Sequence, residues 1–600
     1  MKKILAIALS CLMLTGCGSS AGAETAPAQT TAATAPAVVS FSGTMAQAEP
    51  AAPEYVSRFD SETVITLSDG GITVDGSEEA VYTSNDILYY EDRDTYDSGN
   101  PYGEGEAHER HTAEEAAAHT VVNITAPGAY RVSGKLSAGQ LRIDLGDGAY
   151  FDPDAVVELI LEDADITCTV APAILFLNTY ECDGEWSTDT ARAEVDTSAA
   201  GANLILEGKN AVSGSHVARI YKDAEGEKKL WKQDGAVYSY MSLNVFGPGS
   251  LDLTADNEGL DTELHLTING GDIAISSDND GINTNEDGVS VTTINGGSLH
   301  IKAGLGQEGD GIDSNGYLVI NGGTVVASAN PAADAGLDSD LGSYVNGGTV
   351  IALGSTMDWA ESDSAQVTMN LQFAGMQSSG SAIVVAKEDG TVLFAYDPSE
   401  DEILGENVRQ YMGAVISCPY LSQGDTYSVY LDGTITGEEV GGVYSSVTAY
   451  AGGTQMAYSG TDVSGMPGGM GGPGGMGQRM EGDWPTDTER PEPARTDGEL
   501  PAMPEGMEPG EVPALPEGET MPADFDPTQM GGRGPQGSME DRQPPEGFEG
   551  EMPTMPEGES PAGGFGDRPV TDRNTAAESS TEFYMSDMVN AFSGVAPANR

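Results

Sequence analysis

Ile268-Asn269-Gly270-Gly271 is the first of four copies of one phrase, followed by Ile294-Asn295-Gly296-Gly297, Ile320-Asn321-Gly322-Gly323 and Val345-Asn346-Gly347-Gly348. The copies follow one another at intervals of 26, 26 and 25 residues. A period of this length is typical of repeat proteins, in which each unit buries its apolar face only against its neighbours. The phrase therefore predicts a stack of similar coils.

Apolar residues alternate on both sides of the phrase. Leu266 and Ile268 precede the first turn, and Ile273 and Ile275 follow it. A period of two predicts β-strands with one buried face. Asn and Gly tolerate positive φ, so the turn between the strands can be tight. Because nothing between the strands has the length or pattern of a crossover helix, we expect an all-β fold, a parallel β-helix.

A second phrase has the same period and pairs an aliphatic residue with Asp or Asn: Leu260-Asp261, Ile282-Asn283, Ile312-Asp313 and Leu337-Asp338. In register, the aliphatic residues face the core and the polar residues form a ladder on the outer face. Neighbouring strands lie about 4.8 Å apart, so unscreened stacked carboxylates repel by roughly a kcal/mol or more each.

Bound cations would remove this repulsion, and calcium accepts irregular shells of carboxylate, amide and carbonyl oxygens. The repeats therefore predict calcium on the ladder, with these candidate ligands: Asn257, Asp261, Asp280, Asn283, Asp310, Asp313, Asp334 and Asp338. The alternative is that these residues form solvated, staggered turns.

Composition restricts the partners. The 600 residues include 95 acidic and 26 basic ones, for a formal charge of −69. Nucleic acid is excluded as a partner, because binding phosphate requires clustered Lys and Arg. With 79 glycines and 32 prolines, much of the length cannot belong to a packed core.

The N-terminus has the pattern of a processing signal. Lys2 and Lys3 precede an apolar run from Ile4 to Leu14, which is too short to span a bilayer. The run leads into Leu14-Thr15-Gly16-Cys17, which resembles a bacterial lipobox. It predicts a signal peptide over 1–16, lipidation of Cys17, and a location on the bacterial cell surface with the lipid as the only membrane anchor. The alternative is an ordinary secretory signal.

Two cysteines of the exported chain could form a disulfide. Cys168 and Cys182 are close enough in sequence to close a bridge across one coil, and export permits oxidation. Buried free thiols are the alternative, since spacing alone does not determine the geometry.

Shifts in composition divide the chain into six parts. We expect a signal peptide over 1–16, an Ala/Thr/Pro-rich tether over 17–55 and the β-helix over 56–360. A small β-sheet domain capping the helix follows over 361–440, then a Gly/Pro/Glu/Met-rich tail over 441–575, which is predicted to be disordered. Residues 576–600 form an amphipathic segment of unknown role that is a candidate for docking.

Several stretches resemble a known family, the bacterial carbohydrate-binding domain family of cell-surface β-helices: Gly128 to Gly134, Gly309 to Val325 and Tyr344 to Ala352. The resemblance covers roughly Thr63 to Gly433. It implies a right-handed parallel β-helix similar to pectate lyases, calcium ions along the coils, and binding to plant cell-wall polysaccharides such as pectin or cellulose.

Catalysis, by a polysaccharide lyase or hydrolase of pectate-lyase-like fold, is the alternative to binding. A polysaccharide lyase needs a base to remove the proton next to the uronate carboxylate. Between Leu243 and Leu353, His300 and Lys302 are the one pair with suitable chemistry, and two surface residues are the interpretation we prefer. We therefore predict a monomeric, non-catalytic surface protein that binds polysaccharide through a calcium-loaded β-helix, and an adhesin or spacer without glycan specificity remains a further alternative.

Overall fold

The structure is a computed structural model that describes residues 43–44, 55–75, 80–91, 109–184, 187–188, 190–220, 231–355, 358–403, 409–461 and 579–598. The predicted signal peptide with Cys17, most of the predicted tether, and the stretch from 462 to 575 lie outside the described residues.

The first part of the chain contains strands of varied length and one short helix: β1 (Gly43–Thr44), β2 (Glu62–Leu67), β3 (Thr73–Asp75), β4 (Val81–Ser84), α1 (Ala113–Ala117), β5 (Thr120–Ile124), β6 (Gly128–Leu136), β7 (Gly139–Asp144), β8 (Val157–Thr167), β9 (Ile174–Asn178), β10 (Ala202–Glu207), β11 (Lys209–Gly214), β12 (Val217–Ile220) and β13 (Trp231–Gln233). Single 3₁₀ turns lie at Ala149–Phe151 and at Pro398–Glu400.

The repeats follow as β14 (Gly235–Ser239), β15 (Leu243–Phe246), β16 (Ser250–Ala255), β17 (Glu258–Thr262), β18 (Leu266–Ile268), β19 (Asp272–Ser277), β20 (Ile282–Thr284), β21 (Val291–Ile294), β22 (Ser298–Lys302), β23 (Ile312–Ser314), β24 (Tyr317–Ile320), β25 (Thr324–Ser328), β26 (Leu337–Ser339), β27 (Gly342–Val345) and β28 (Thr349–Gly354).

The last part contains β29 (Thr368–Gln377), β30 (Ile383–Lys387), β31 (Val392–Tyr396), β32 (Tyr411–Ser417), β33 (Thr426–Leu431), β34 (Thr434–Val440), β35 (Val443–Ala451), β36 (Thr454–Ala457), β37 (Phe583–Tyr584) and β38 (Val589–Pro597).

Strands one repeat apart pair in parallel and in register. Ile268 lies opposite Ile294, which lies opposite Ile320, which lies opposite Val345. The strands after the turn pair in the same way, from β16 through β19, β22 and β25 to β28. The chain is therefore mostly β with long parallel sheets, in the arrangement expected of a β-helix.

A separate nine-stranded sheet follows the same period, in the order β26-β23-β20-β17-β14-β9-β7-β5-β4. We call it the ladder sheet. All of its pairs are parallel except that of β4 with β5 at one end. The four aliphatic residues of the second phrase lie opposite one another and are 0–1% exposed. They belong to the continuous apolar core between the sheets, as the alternation predicts.

A small β domain follows the last coil. Its strand β32 pairs antiparallel with β28 and with β29, so the domain continues a sheet of the helix. Its core includes Val326 and Ile351 from the outer face of the last coils. The domain therefore covers one side of the coils as well as their end.

The boundaries of this domain differ from the prediction. Strands β35 and β36 continue past the expected end at 440, and the C-terminal strands β37 and β38 pair with β33 and β29 of the same domain. Residues 576–600 were predicted as a separate segment, but their described part, 579–598, belongs to this domain.

The candidate disulfide is absent, since Cys168, Cys182 and Cys418 are free. Cys168 packs in the apolar core of the coils, whereas the Cys182 Sγ lies 3.8 Å from the backbone oxygen of Asp196. The two thiols therefore occupy different environments. Among the described residues, no helix combines the length and apolar character needed to cross a membrane.

Candidate functional site

The predicted polar ladder is in register. On the ladder sheet Asp261 lies opposite Asn283, Asn283 opposite Asp313, and Asp313 opposite Asp338. On the other side, Asp261 lies opposite Tyr238. The parallel pairing thus brings side chains 22 to 30 residues apart into one row.

The first acid of the row belongs to a buried triad. Ligand oxygens of Asp234, Glu258 and Asp261 all lie within 4.8 Å of one another. The three residues are 5%, 3% and 0% exposed. We call these three residues the acidic triad. Sequence reasoning found Asp261 and missed the other two, although Glu258 lies only two residues before the first copy of the second phrase.

Three oxygens at the triad have no hydrogen-bond partner: Glu258 Oε2, Asp261 Oδ2 and Asn283 Oδ1. The opposite oxygens are bonded, since Asn285 Nδ2 donates to Asp261 Oδ1 at 2.6 Å and Asn283 Nδ2 donates to Glu258 Oε1 at 3.2 Å. An unpaired buried acceptor costs about 1–3 kcal/mol, and a charged one costs more. Buried carboxylate and amide oxygens without a partner are the type of ligand that a hard cation binds.

Burial dominates the electrostatics of the cluster. Desolvation and the charge of Asp234 raise the pKa of Glu258 to about 7. Burial, followed by the charge of Glu258, holds the pKa of Asp261 well above its usual range. Burial also raises the pKa of Glu263 to about 8. A divalent cation would reverse these shifts by favouring the charged carboxylates.

A lysine and a tyrosine border the triad. The Lys232 ammonium forms an ion pair with Asp234, and its positive charge lowers the pKa of Glu258 and Asp261 against the effect of burial. The Tyr238 hydroxyl donates to Glu263. Lys232 therefore supplies one positive charge to a cluster of four buried carboxyl groups.

Three other predicted ligands each accept a hydrogen bond from the backbone through one carboxylate oxygen. Asp280 Oδ1 accepts the N–H of Asp310 at 2.6 Å, and Asp310 Oδ1 accepts the N–H of Ala335 at 2.5 Å. Asp334 Oδ2 accepts the N–H of Gly309 at 2.8 Å. These carboxylates tie neighbouring coils together, which is a structural role that the ladder prediction did not foresee. Asn257 Nδ2 donates to the Asp234 carbonyl at 3.3 Å, next to the triad.

The far end of the row is also acidic. Burial, followed by the charge of Asp338, holds the pKa of Asp313 well above its usual range. Asp358, which the sequence did not indicate, lies beside Asp338, and burial raises its pKa to about 8. Its carboxylate accepts the N–H of Ser339 at 3.0 Å. Acidic side chains thus continue along the row beyond the triad.

The His300–Lys302 pair is not on the surface, which corrects the sequence interpretation. His300 is 0% exposed and Lys302 is 7% exposed. His300 lies opposite Val326 on the outer face that the C-terminal domain covers, and its Nδ1 lies 3.4 Å from Asp401 Oδ2. The pair therefore lies at a domain junction, away from the polar row.

A solved structure of the polysaccharide lyase-like protein from C. thermocellum, a gadolinium derivative, is similar over 48% of this chain and 93% of that chain, with 20% identity and a TM-score of 0.29. No curated protein matches the chain.

The model of one protein family matches residues 118–408, which include the acidic triad and the whole polar row. Its description is carbohydrate-binding domain-containing protein. Over these residues, just under half of its length, the chain is similar to the family of carbohydrate-binding domain-containing proteins.

Proposed function

We propose that the protein binds polysaccharide through a right-handed parallel β-helix that carries calcium at the acidic triad. The observation that carries the proposal is the group of unpartnered, buried oxygens on Glu258, Asp261 and Asn283, within the segment that matches the carbohydrate-binding family. Every available ligand atom there is a carboxylate or amide oxygen, which suits calcium better than softer metals.

Calcium would act as the link to an acidic glycan. With a formal charge of −69, the chain repels a polyuronate unless a cation lies between the two. In this proposal, Asp234, Glu258 and Asp261 hold an ion inside the coils, and the half-buried Asp313 and Asp338 share a further ion with a uronate carboxylate. The row beyond the triad, with Asp313 and Asp338, supplies further oxygens along the coils.

Terbium luminescence tests the cation site. Tyr238 lies opposite Asp261, so it is placed to sensitise a bound lanthanide ion. We expect terbium emission on Tyr excitation, its loss on titration with calcium, and its absence in Asp261→Asn. Unchanged emission in that variant, or no emission in the parent protein, would contradict the site.

A pull-down with polygalacturonate and cellulose tests the glycan. Binding to polygalacturonate should be lost in EDTA and restored by calcium, whereas the exposed control Asp272→Asn should bind normally. Equal binding with and without EDTA refutes cation bridging. A glycan array with no bound sugar would favour the adhesin or spacer alternative.

We propose that the protein is not an enzyme, and that a lyase is the second candidate. Lys232, the basic side chain beside the triad, is ion-paired with Asp234 and so is not a free base. Absorbance of unsaturated uronate product after incubation with pectin and calcium would overturn this proposal.

Attachment to the cell surface through lipidated Cys17 is part of the proposal. It rests on the Leu14-Thr15-Gly16-Cys17 pattern. Incorporation of a labelled fatty acid should be lost in Cys17→Ala, and the variant should appear in the medium.

A further inference from the structure

The C-terminal strands fill a groove in the small β domain. Phe583 and Met585 are 0% exposed, Val595 is 1% and Phe592 is 2% exposed. The rings of Phe583 and Phe592 lie 4.9 Å apart, and both contact Tyr458. Complete burial of four large apolar side chains stabilises the docked segment, although ordering the segment offsets part of this gain.

The backbone of the same segment pairs with three strands of the domain. Strand β38 pairs in parallel with β29 and antiparallel with β36, and β37 pairs antiparallel with β33. Met585 exchanges two hydrogen bonds with the strand region around Asp425, donating to its carbonyl at 2.9 Å and accepting from Gly424 N at 2.8 Å. The segment therefore adds strands to a sheet, as bound peptides do in β-strand addition.

The covalent connection does not oblige this segment to dock on its own chain. The chain leaves the described domain at 461 and resumes at 579, with 117 residues between. At about 3.5 Å per extended residue, that length permits a reach on the order of 400 Å. The effective concentration of a tethered segment falls as the connection lengthens, roughly as the −3/2 power of its length.

We propose that residues 579–598 are an exchangeable docking segment that also inserts into the groove of a second copy of this chain. Docking of the segment on its own chain dominates when the protein is dilute. Exchange between copies dominates when the protein is concentrated. Each copy offers one segment and one groove, so exchange links copies into pairs or chains. The same sequence fills the groove in both cases, so the segment of a second copy would make the same apolar contacts and backbone hydrogen bonds.

Cysteine pairs in the full chain test the exchange. Thr426 and Tyr584 lie opposite one another in the antiparallel pair of β33 and β37, and both are exposed, so Thr426→Cys and Tyr584→Cys place two thiols side by side. The two single variants, mixed at about 200 µM and oxidised, should give a covalent dimer whose yield falls on dilution. The double variant should give a disulfide within one chain when dilute. Mixing Thr426→Cys with Ser68→Cys, an exposed site elsewhere, should give no comparable dimer.

A labelled synthetic peptide of residues 579–598 provides a readout that does not depend on disulfide geometry. We expect the full chain to take up the peptide with a rise in fluorescence anisotropy, and the Phe592→Ala peptide to bind at least about tenfold more weakly. No uptake at peptide concentrations approaching millimolar, together with a mixture of single variants that stays monomeric, would show that the segment is a permanent part of its own domain.

Discussion

Asp261 shows why an acid in a stack of coils requires a counter-charge. It is 0% exposed, and two buried carboxyl groups of the triad surround it. One of its oxygens accepts a hydrogen bond from Asn285, while the other has no partner. A carboxylate in this position must either stay protonated or meet a cation, because desolvation of an unpaired charge costs several kcal/mol.

Replacing Asp261 by Asn should raise the stability of the metal-free protein and lower its affinity for calcium. The amide keeps the shape and the acceptor for Asn285 and is neutral without taking up a proton, so the metal-free protein at pH 7 should gain on the order of 1 kcal/mol. Calcium affinity should fall by at least about tenfold. Calorimetric titration and thermal unfolding in EDTA measure the two effects, with Asp272→Asn as the exposed control. A variant that keeps full calcium affinity would remove Asp261 from the site.

Replacing Lys232 by Met should lower the stability of the metal-free protein and raise its affinity for calcium. The ammonium is the counter-charge of Asp234, so its loss should destabilise the metal-free protein by roughly 2–4 kcal/mol. It should also raise calcium affinity by about three- to tenfold, because the cation no longer meets a resident positive charge.

Terbium competition and urea unfolding measure these two effects of Lys232→Met. The exposed Lys135–Asp165 pair provides the matched control, Lys135→Met, which should change neither value. Weaker calcium binding in Lys232→Met would show that Lys232 supports the site instead of competing for it.

At the scale of the repeated elements, the Asn-Gly-Gly phrase has a second role besides the turn. Asn295 Nδ2 donates to Asn269 Oδ1 at 2.9 Å, Asn321 donates to Asn295 at 2.9 Å, and Asn346 donates to Asn321 at 3.0 Å. The last glycine of the phrase has positive φ, +88° at Gly297, and a Cβ there would lie 2.6 Å from the Gly271 oxygen. The phrase therefore combines a side-chain amide ladder with close backbone stacking.

Replacing Asn295 by Ala should weaken the coils locally. The change removes one donated and one accepted hydrogen bond, which predicts a loss of about 1–2 kcal/mol in unfolding free energy. Asn269→Ala removes only the hydrogen bond accepted from Asn295, so it should lower the unfolding free energy less. Urea unfolding in saturating calcium measures both, and equal losses would show that the ladder bonds do not contribute separately.

Across the whole molecule, buried acids make stability depend on pH and metal together. The pKa of Glu258 is about 7 and that of Glu263 about 8, both raised by burial above their usual range. Above about pH 5 the unfolded chain has lost these protons, whereas the folded chain releases them only near pH 7 and pH 8, so metal-free stability should fall as pH rises through this range. Calcium should remove the loss, because it binds the charged form.

Melting temperatures in EDTA and in calcium, at pH 5, 6.5 and 8, test this coupling. The difference between the two conditions should grow with pH, and Glu258→Gln should reduce the slope. The exposed control Asp272→Asn should leave the slope unchanged. A metal-free melting temperature that rises with pH would contradict the assigned protonation.

The folded body should tolerate removal of residues 462–578. Tyr458 and Ser580 form backbone hydrogen bonds in both directions, so the two ends of this stretch already lie together. Replacement by a short Gly/Ser linker should leave the melting temperature within about 3 °C of the parent. Truncation before residue 579 should lower it much further, because Phe583 and Phe592 leave the core. Equal effects of the two deletions would show that the intervening stretch supports the fold.

The sequence by itself determined the coils and the polar row. A repeat of 26 and 25 residues brings each phrase beside its next copy, and parallel pairing then carries Asp261, Asn283, Asp313 and Asp338 into one row. This outcome depends only on local alternation and on spacing, both of which can be read from the residues.

Tertiary structure alone decided which acids converge and which faces are covered. Asp234 reaches the triad from a coil without the regular phrase, and Asp280 and Asp310 bind backbone although they share the spacing of the ladder. His300 is buried because a domain distant in sequence packs over its strand. Residues 579–598 join that domain across a long interruption. These contacts depend on side-chain burial between segments that share no period, so no repeat in the sequence predicts them.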